Sequence, residues 1–549
     1  MKTTGYSYKQ HPITGRWDAI VIGSGIGGLT TAALLAKHAG QRVLVLERHY
    51  TAGGFTHAFR RPGYEWDAGV HYVGEVNDPK SQVRAAFDHI TEGRLGWNAM
   101  PDVYDRISIG DRSYDFPTGL ERFRDRMGEA FPGERQAIDQ YIAAVYATVG
   151  RSKWYFAEKA IPGPIARLIG PMLRWGFLRT ASQTTAQVLG RLTHNKELVA
   201  VLTGQWGDYG LPPGQSSFGA HAVVAHHYFE GAGYPIGGAS EIAASIAPVV
   251  EQAGGEIIYS AEVVEILLDV HKRRAIGVRM ADGRELLAGT IISDAGAHNT
   301  FGRLLPDGLD ACAGILEEVK SIPPSVAHVC LYAGVKRELG EADFEATNRW
   351  IYRNADHDGN FARFAADPEA AWPCLFVSFP SAKDPTFEQR YPGRSTLEVI
   401  APVPYASFAR WAETRWKRRG ADYDELKRTL AARLQADLER HVPATRGRID
   451  YAEVSTPLTT RHFANYQHGE IYGLGATPAR FRVRELGART PVRSLYLTGS
   501  DTCTSGVAGA MFGGLITASS VLKRNLVDTV TRAASGSTIQ AGNAVLAPR

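Results

Sequence analysis

The sequence predicts an α/β protein: a Rossmann-type dinucleotide-binding domain with a mixed α+β domain inserted into it. Three observations carry that expectation. A glycine turn joins an apolar strand to an Ala/Leu-rich helix near the N-terminus, a second set of αβ elements recurs at 239–296, and a third closes the chain at 494–523. Strands alternating with helices of this length form a parallel sheet with helices packed on it.

The first strand is Asp18-Ala-Ile-Val-Ile-Gly23, followed by a helix to about Gly40 and a strand at Arg42-Val-Leu-Val-Leu-Glu47. Ala19 to Ala36 is uncharged for long enough to imitate a membrane span. Its interior is Gly-Ser-Gly-Ile-Gly-Gly, which suits a strand–turn–helix and not a lipid-spanning helix, so no transmembrane span is expected. In the second set, a helix from Ser240 to Ala253 precedes Gly254-Gly255 and strands near Ile257, Ala261–Leu268 and Ala275–Arg279. Asp282-Gly283 marks a turn in a β-meander. The last set is the strand Ser494–Thr498, a turn at Gly499-Ser500-Asp501 and a helix from about Gly506 to Lys523. Residues 14–75, 221–300 and 490–526 are thus assigned to the dinucleotide-binding domain. The stretches 76–220 and 301–489 hold most of the tryptophans and charged helices such as Asp424–Arg440, and form the substrate and membrane-associating domain. Residues 527–549 are expected to be a disordered tail.

A chain of 549 residues suits two or three domains. Its 44% hydrophobic and 21% charged residues are those of a globular protein. A net charge of +4 over this length does not call for nucleic acid, yet leaves room for basic patches facing anionic lipid. Cys312, Cys330, Cys374 and Cys503 lie far apart, which excludes a disulfide framework and a zinc or iron–sulfur motif. No metal is expected. The N-terminal MKTTGYSYKQHPITGRW lacks the apolar core of a secretory signal, so a peripheral location on the cytoplasmic side of a membrane is expected.

Gly23-Ser-Gly25-Ile-Gly27-Gly28 is a G-x-G-x-x-G turn placed between a strand and a helix. The first glycine allows the tight turn, the second lets the backbone approach a pyrophosphate, and the last lets the helix lie close to the strand. Phosphate then sits on free N–H groups at the helix start. Glu47, at the end of the next strand, is placed to accept from a ribose diol. The chain continues through Arg48, Gly53, Gly54, Thr56, His71 and Tyr72 in a long glycine-containing excursion. An NAD enzyme would return directly to the sheet; the excursion suits a larger cofactor, FAD, whose ring lies against backbone. At the other end, Asp501 can accept from the ribityl chain. The glycine-punctuated helix, with Gly499 before it and Gly509 and Met511 within it, can direct its N-terminus at the flavin.

The chain resembles the retinol saturase branch of the FAD-dependent carotenoid isomerase and phytoene desaturase family, within the amine-oxidase-like flavoproteins. The resemblance covers nearly the whole chain. It rests on IVIGSGIGGL, the Gly53-Gly54 loop, Asp67-Ala-Gly-Val-His71-Tyr72-Val-Gly74, and Glu230-Gly-Ala-Gly-Tyr234-Pro235-Ile-Gly237-Gly238. It extends to Phe379-Pro-Ser-Ala-Lys-Asp384-Pro-Thr, Arg419-Gly-Ala-Asp-Tyr-Asp-Glu-Leu-Lys and Leu495-Tyr-Leu-Thr-Gly499-Ser-Asp501. The resemblance implies saturation of a carbon–carbon double bond in a polyene or isoprenoid lipid by hydride transfer from reduced flavin. Desaturation and cis–trans isomerisation are the alternatives on the same scaffold, and an FAD-containing lipid carrier is the non-enzymatic one. It also implies backbone contact of Val264 with FAD, and a Tyr234-Pro235-x-Gly237-Gly238 loop passing near the flavin and substrate. With no second G-x-G-x-x-G, an external electron donor is expected, NAD(P)H or another reductant.

A proton donor is needed, and Tyr72 or His71 is the first expectation, with Asp208 and Tyr209 the second. His221, His226, His227 and Glu230 share no clean helix face and read as ordinary helix residues. Between 161 and 178, Ile165, Leu168, Ile169, Met172 and Leu173 fall on one apolar face. Lys153, Lys159, Arg167, Arg174 and Arg179 surround it, with Trp154 and Trp175 near its ends. A core-facing helix and a helix lying in a membrane interface share this pattern.

Overall fold

A computed structural model describes residues 4–161 and 163–530. Its central sheet runs in the order Tyr6–Ser7, Glu256–Tyr259, Val43–Leu46, Trp17–Ile22, Glu285–Ser293 and Leu495–Leu497, all parallel. Glu285–Ser293 also carries the antiparallel strands Ala275–Met280 and Val263–Leu268. Both faces of the parallel strands are covered, so their side chains are apolar in both directions. Ala19, Val21, Val43 and Val45 enter the core of the helices Ile26–Ala39, Ser240–Gln252 and Gly506–Leu522. Ile20, Ile22, Leu44 and Leu46 enter the opposite core, with Cys312 and Val319 of the helix Asp310–Ser321.

The inserted domain is a seven-stranded sheet in the order Ile449–Ser455, Ala327–Lys336, Arg394–Val403, Leu375–Ser378, Asn348–Tyr352, Val103–Ile109 and Arg112–Pro117. The helix Ala421–His441 buries Leu430, Leu434 and Leu438 on it. The hairpin Ala58–Arg61/Tyr64–Asp67 leans Tyr64 and Trp66 on Cys330 and Tyr332 of the same sheet. A small sheet of Val73–Gly74, Ala232–Pro235 and Trp97–Ala99 lies beside the hairpin segment.

Packing moves the expected domain borders. Val83, Phe87 and Ile90 of the helix Gln82–Thr91 pack in the dinucleotide-binding core, as do Leu474 and Leu486 on its other face. Conversely, Phe218, Ala222 and Phe229 of the helix Phe218–Phe229 belong to the core of the inserted domain. The expected tail begins as helix: Leu526 and Val530, four apart, are buried beside the first helix. The rest of that tail, 531–549, lies outside the described residues.

Candidate active site

The strand ends and helix starts of the parallel sheet open on one cavity of about 950 Å³, in the size range of ligand pockets. Gly23, Gly25, Gly27, Glu47, Arg48, Gly53, Gly54, Thr56 and Asp501 line it, as the sequence led one to expect. Gly53 and Gly54 have φ of 118° and 56°, so the loop turns back only because both residues lack a Cβ. Gly28 does not line the cavity; a Cβ there would stand 2.4 Å from the Gly23 carbonyl oxygen, the close helix–strand approach inferred for it.

The residues present fit a flavin dinucleotide. Glu47 Oε2 accepts from Ser24 N and Oγ at 2.8 and 2.6 Å, and Oε1 accepts from His49 N at 2.7 Å. A carboxylate oxygen accepts twice, so Oε1 keeps one lone pair for a ribose hydroxyl. Asp501 Oδ2 accepts from Ala297 N at 2.8 Å, whereas Oδ1 is buried without a hydrogen bond. An unmet buried acceptor on a cavity wall suits a polyol hydroxyl.

Asp294 was not foreseen. A Cβ on Gly25, Gly27 or Gly499 would meet its carboxyl at 2.5, 2.8 or 2.2 Å, so it fills the middle of the glycine turn. Burial pushes it up to about 8, helped by the charges of Glu47 and Asp501 and opposed by the Gly28 and Gly25 N–H groups. At neutral pH it is chiefly the neutral acid, so it takes N–H groups of the glycine turn without placing a full negative charge where an anion would bind. Its only signal was its place at the end of a third parallel strand. The aromatic wall was also unforeseen: Tyr332, Tyr466 and Tyr472, with His328, come from a region without motifs. Phe55 stacks on Tyr466 with centroids 6.1 Å apart.

Several expected contacts are corrected. The Val264 side chain is 43% exposed while its neighbours Ala261 and Val263 line the cavity, a difference in side-chain facing that leaves the backbone contact expected of Val264 as it stood. Met511 is wholly buried in the helix core and Gly509 packs on the Thr504 carbonyl. Gly506, Val507 and Ala510 form the cavity face of that helix. His71, Tyr72, Asp208, Tyr209, Tyr234, Gly237 and Gly238 do not line the cavity. They lie in and around a buried polar junction behind the Ala68–Gly69 wall, where three of the quoted motifs converge.

In that junction Tyr234 donates to Asp67, and the Ala239 and Gly237 N–H groups donate to Asp67 and Asp384 at 3.1 and 3.0 Å. Arg390 joins Glu65 to Asp384. The Tyr234–Gly238 loop thus ties the Asp67 segment to Asp384. Lys383 Nζ donates to the His71 carbonyl, Asn348 Oδ1 and Ser378 Oγ at 2.8, 2.5 and 2.7 Å. Burial pulls Lys383 down to about 7 against the pull of Glu398, Asp105, Asp67 and Asp208.

Tyr72 Oη lies 2.9 Å from Asp105 Oδ2 and 2.8 Å from Asp208 Oδ2. One phenol proton serves only one of them, so a carboxyl must supply the other. Asp105 also accepts from Gln205, Asn348 and Trp350 at 2.7, 3.0 and 3.1 Å and is the better-satisfied anion. Burial and the Asp105 charge raise Asp208 well above the usual range, so Asp208 holds the proton and donates it to Tyr72. Tyr209 and Tyr141 bracket His221 at 3.1 and 2.9 Å, a packing role. His226 faces Glu75 at 3.1 Å, and His227 Nε2 accepts from Gly74 N at 2.8 Å.

Residues 21–90 match an NAD(P)-binding Rossmann-like domain. The fold is shared with an oxidoreductase from Methanosarcina mazei, at TM-score 0.61 and 17% identity over 92% of this chain and 100% of that one. It is also shared with cyclohexylamine oxidase from Brevibacterium oxydans, at TM-score 0.57 and 16% identity over 94% and 99%. Fold and cavity together define a protein with a Rossmann-like dinucleotide-binding domain whose cavity fits a flavin-type cofactor. All-trans-retinol 13,14-reductase of Danio rerio is 38% identical over 93% of this chain and 86% of its own length. Its Homo sapiens counterpart is 34% identical over 96% and 88%, and prolycopene isomerase of Arabidopsis thaliana 28% over 91% and 82%. The chain belongs to the all-trans-retinol 13,14-reductase family.

Proposed function

We propose that this protein binds FAD and saturates one carbon–carbon double bond of a polyene or isoprenoid lipid. One observation carries the reading: a single cavity joins the dinucleotide wall of Gly25, Glu47 and Asp501 to an aromatic wall of Phe55, Tyr332, Tyr466 and Tyr472. When bound, reduced FAD supplies the electron pair and one hydrogen of the new C–H bonds. Glu47 and Asp501 accept from the cofactor's hydroxyls, and the start of the helix Ile26–Ala39 faces its phosphates. The aromatic side chains hold a flat conjugated chain and exclude water. The second hydrogen comes as a proton from the junction behind Ala68 and Gly69. The external reductant is NAD(P)H or another electron donor.

The test is anaerobic incubation of the reduced holoprotein with retinol, carotenoids, other isoprenoids and unsaturated fatty acids. The expected product is two hydrogens heavier, and flavin reoxidises in step with it. A product of unchanged mass selects an isomerase, and one two hydrogens lighter, formed from oxidised protein, a desaturase. No altered lipid and no reoxidation select a lipid carrier.

We also infer attachment to an anionic membrane surface through the helix Gly163–Ala181. Its core face is Ala166, Gly170 and Phe177, whereas Leu168, Met172 and Trp175 are 83%, 73% and 65% exposed. Nearby Trp154 is 54% exposed, and Lys153, Arg167 and Arg179 border the patch. Among the described residues no helix is long and apolar enough to cross a membrane. Each large side chain entering lipid is worth about 1.5–3 kcal/mol. Leu168→Glu with Met172→Glu is therefore expected to lower co-sedimentation with anionic liposomes by about 10- to 100-fold. Equal pellets from a folded variant would refute the attachment.

A further inference from the structure

Asp294 follows the parallel strand Glu285–Ser293 and turns its carboxyl into the glycine turn of the neighbouring strand Trp17–Ile22. Oδ2 is the atom that a Cβ on Gly25 or Gly28 would meet, at 2.5 and 3.0 Å. Oδ1 is the one that a Cβ on Gly27 or Gly499 would meet, at 2.8 and 2.2 Å. The helix Ile26–Ala39 has no acid in its own first turn, so the acidic group at its start comes from another strand. Asp294 lines the cavity together with Gly23, Gly25, Gly27 and Ser500. A helix start of this kind attracts phosphate through its free N–H groups. A carboxylate fixed there would compete for the same N–H groups and repel the phosphate.

Resting on the reading that this cavity holds FAD, we propose that Asp294 is a positioning residue of the cofactor site that works as the uncharged acid. Its carbonyl oxygen Oδ2 takes the Gly25 and Gly28 N–H groups, and its hydroxyl is Oδ1, beside Gly499. Where the free protein holds Asp294 ionised, FAD binding takes up a proton from solvent, and that proton forms the O–H bond at Oδ1.

The groups around Asp294 favour this form. Its carboxyl is pushed up to about 8, by burial first and also by the charges of Glu47 and Asp501, against the Gly28 and Gly25 N–H groups. Tyr466 faces it as a neutral phenol, raised by burial and by the charges of Asp501, Glu470 and Asp294. The nearby cations have other partners: Arg480 holds the Leu474 and Ser500 carbonyls beside Asp501, Arg48 holds Glu262, and Arg303 meets Asn299 and Asn465. Asp294 keeps some exposure, and a bound diphosphate would displace that water and add negative charge. Both changes hold the proton more tightly. Below about pH 8 the acid is already protonated, so affinity does not depend on this group. Above it each FAD must bring a proton, and affinity falls by up to about tenfold per pH unit.

The test is the FAD Kd by flavin fluorescence from about pH 6 to about pH 10, with calorimetry at about pH 9 in buffers of different ionisation enthalpy. Wild-type protein is expected to lose about 10- to 100-fold in affinity above about pH 8 and to take up most of a proton per FAD. Asp294→Asn keeps the shape and the acceptor oxygen without the titration. It should bind FAD like wild type at neutral pH, with neither the alkaline loss nor a buffer-dependent heat. The calorimetric arm needs only wild-type protein and so stands even if the variant does not fold. A flat wild-type affinity, a heat independent of buffer, or an alkaline loss that survives in Asp294→Asn overturns the role of Asp294 and leaves the cofactor reading standing. If FAD binds at no pH, the cofactor reading falls and this one with it.

Discussion

Gly27→Ala is expected to yield protein without flavin and with a lowered unfolding midpoint. A Cβ at Gly27 would stand 2.4 Å from Gly499 Cα and 2.8 Å from Gly499 N. Both are backbone atoms, and no rotamer change relieves the clash. The helices starting after residues 25 and 505 must separate, which pulls Gly25 and Asp501 off opposite ends of one cofactor. Overpacking of this kind costs about 1–3 kcal/mol in stability, and the cofactor loses at least tenfold in affinity if about 1.4 kcal/mol of that reaches the site. The measurement is flavin per protein after gel filtration, with the thermal midpoint. Gly150→Ala is the control, since a Cβ there meets nothing within 4 Å inside a helix. Full occupancy in Gly27→Ala would mean that the two helix starts need not touch.

Lys383→Met is expected to destabilise the fold by about 3–5 kcal/mol, the cost of leaving buried carboxyls without their cation. The side chain is 1% exposed, and its length is nearly preserved by methionine, so the loss is electrostatic and not a cavity. The deficit should grow with pH. Asp67, Asp208 and Glu398 hold protons in the fold above their ordinary range. Groups so raised favour the fold below their unfolded values and lose that contribution as pH rises through the folded ones. Lys383 itself, pulled down to about 7, is deprotonated in the fold before it is in the unfolded chain, so its own contribution grows with pH and vanishes in the variant. Denaturant midpoints at several pH values decide the matter. A midpoint equal to wild type would show that the carboxyls are neutral without help.

Much of the cavity wall was legible in the sequence because it depends on short-range geometry. Gly23, Gly25 and Gly27 sit in one turn, and Glu47 follows at the end of the next strand, so a local pattern suffices to place them. The C-terminal turn with Asp501 was found for the same reason. Gly509 and Met511 were placed on the wrong face because facing depends on helix phase, which the pattern left open.

The junction behind the wall was not legible, although most of its residues had been noticed. Asp67, Tyr234, Lys383 and Asp384 stood out in motifs, but nothing local says that they meet, since their contacts span from 5 to more than 300 positions. Glu398 and Asp105 were invisible because a carboxyl within a strand looks solvent-facing until another domain covers it. The amphipathic stretch at 165–173 divides the same way: its period determined a helix, but only packing decided that Ala166 and Phe177 face inward and Leu168 and Met172 outward. The sequence by itself determined the dinucleotide fold and the glycine-turn wall of its cavity, because turn glycines and strand ends act within a few residues. Only the tertiary structure decided which acids keep their protons, because burial and charge pairing depend on what distant segments bring together.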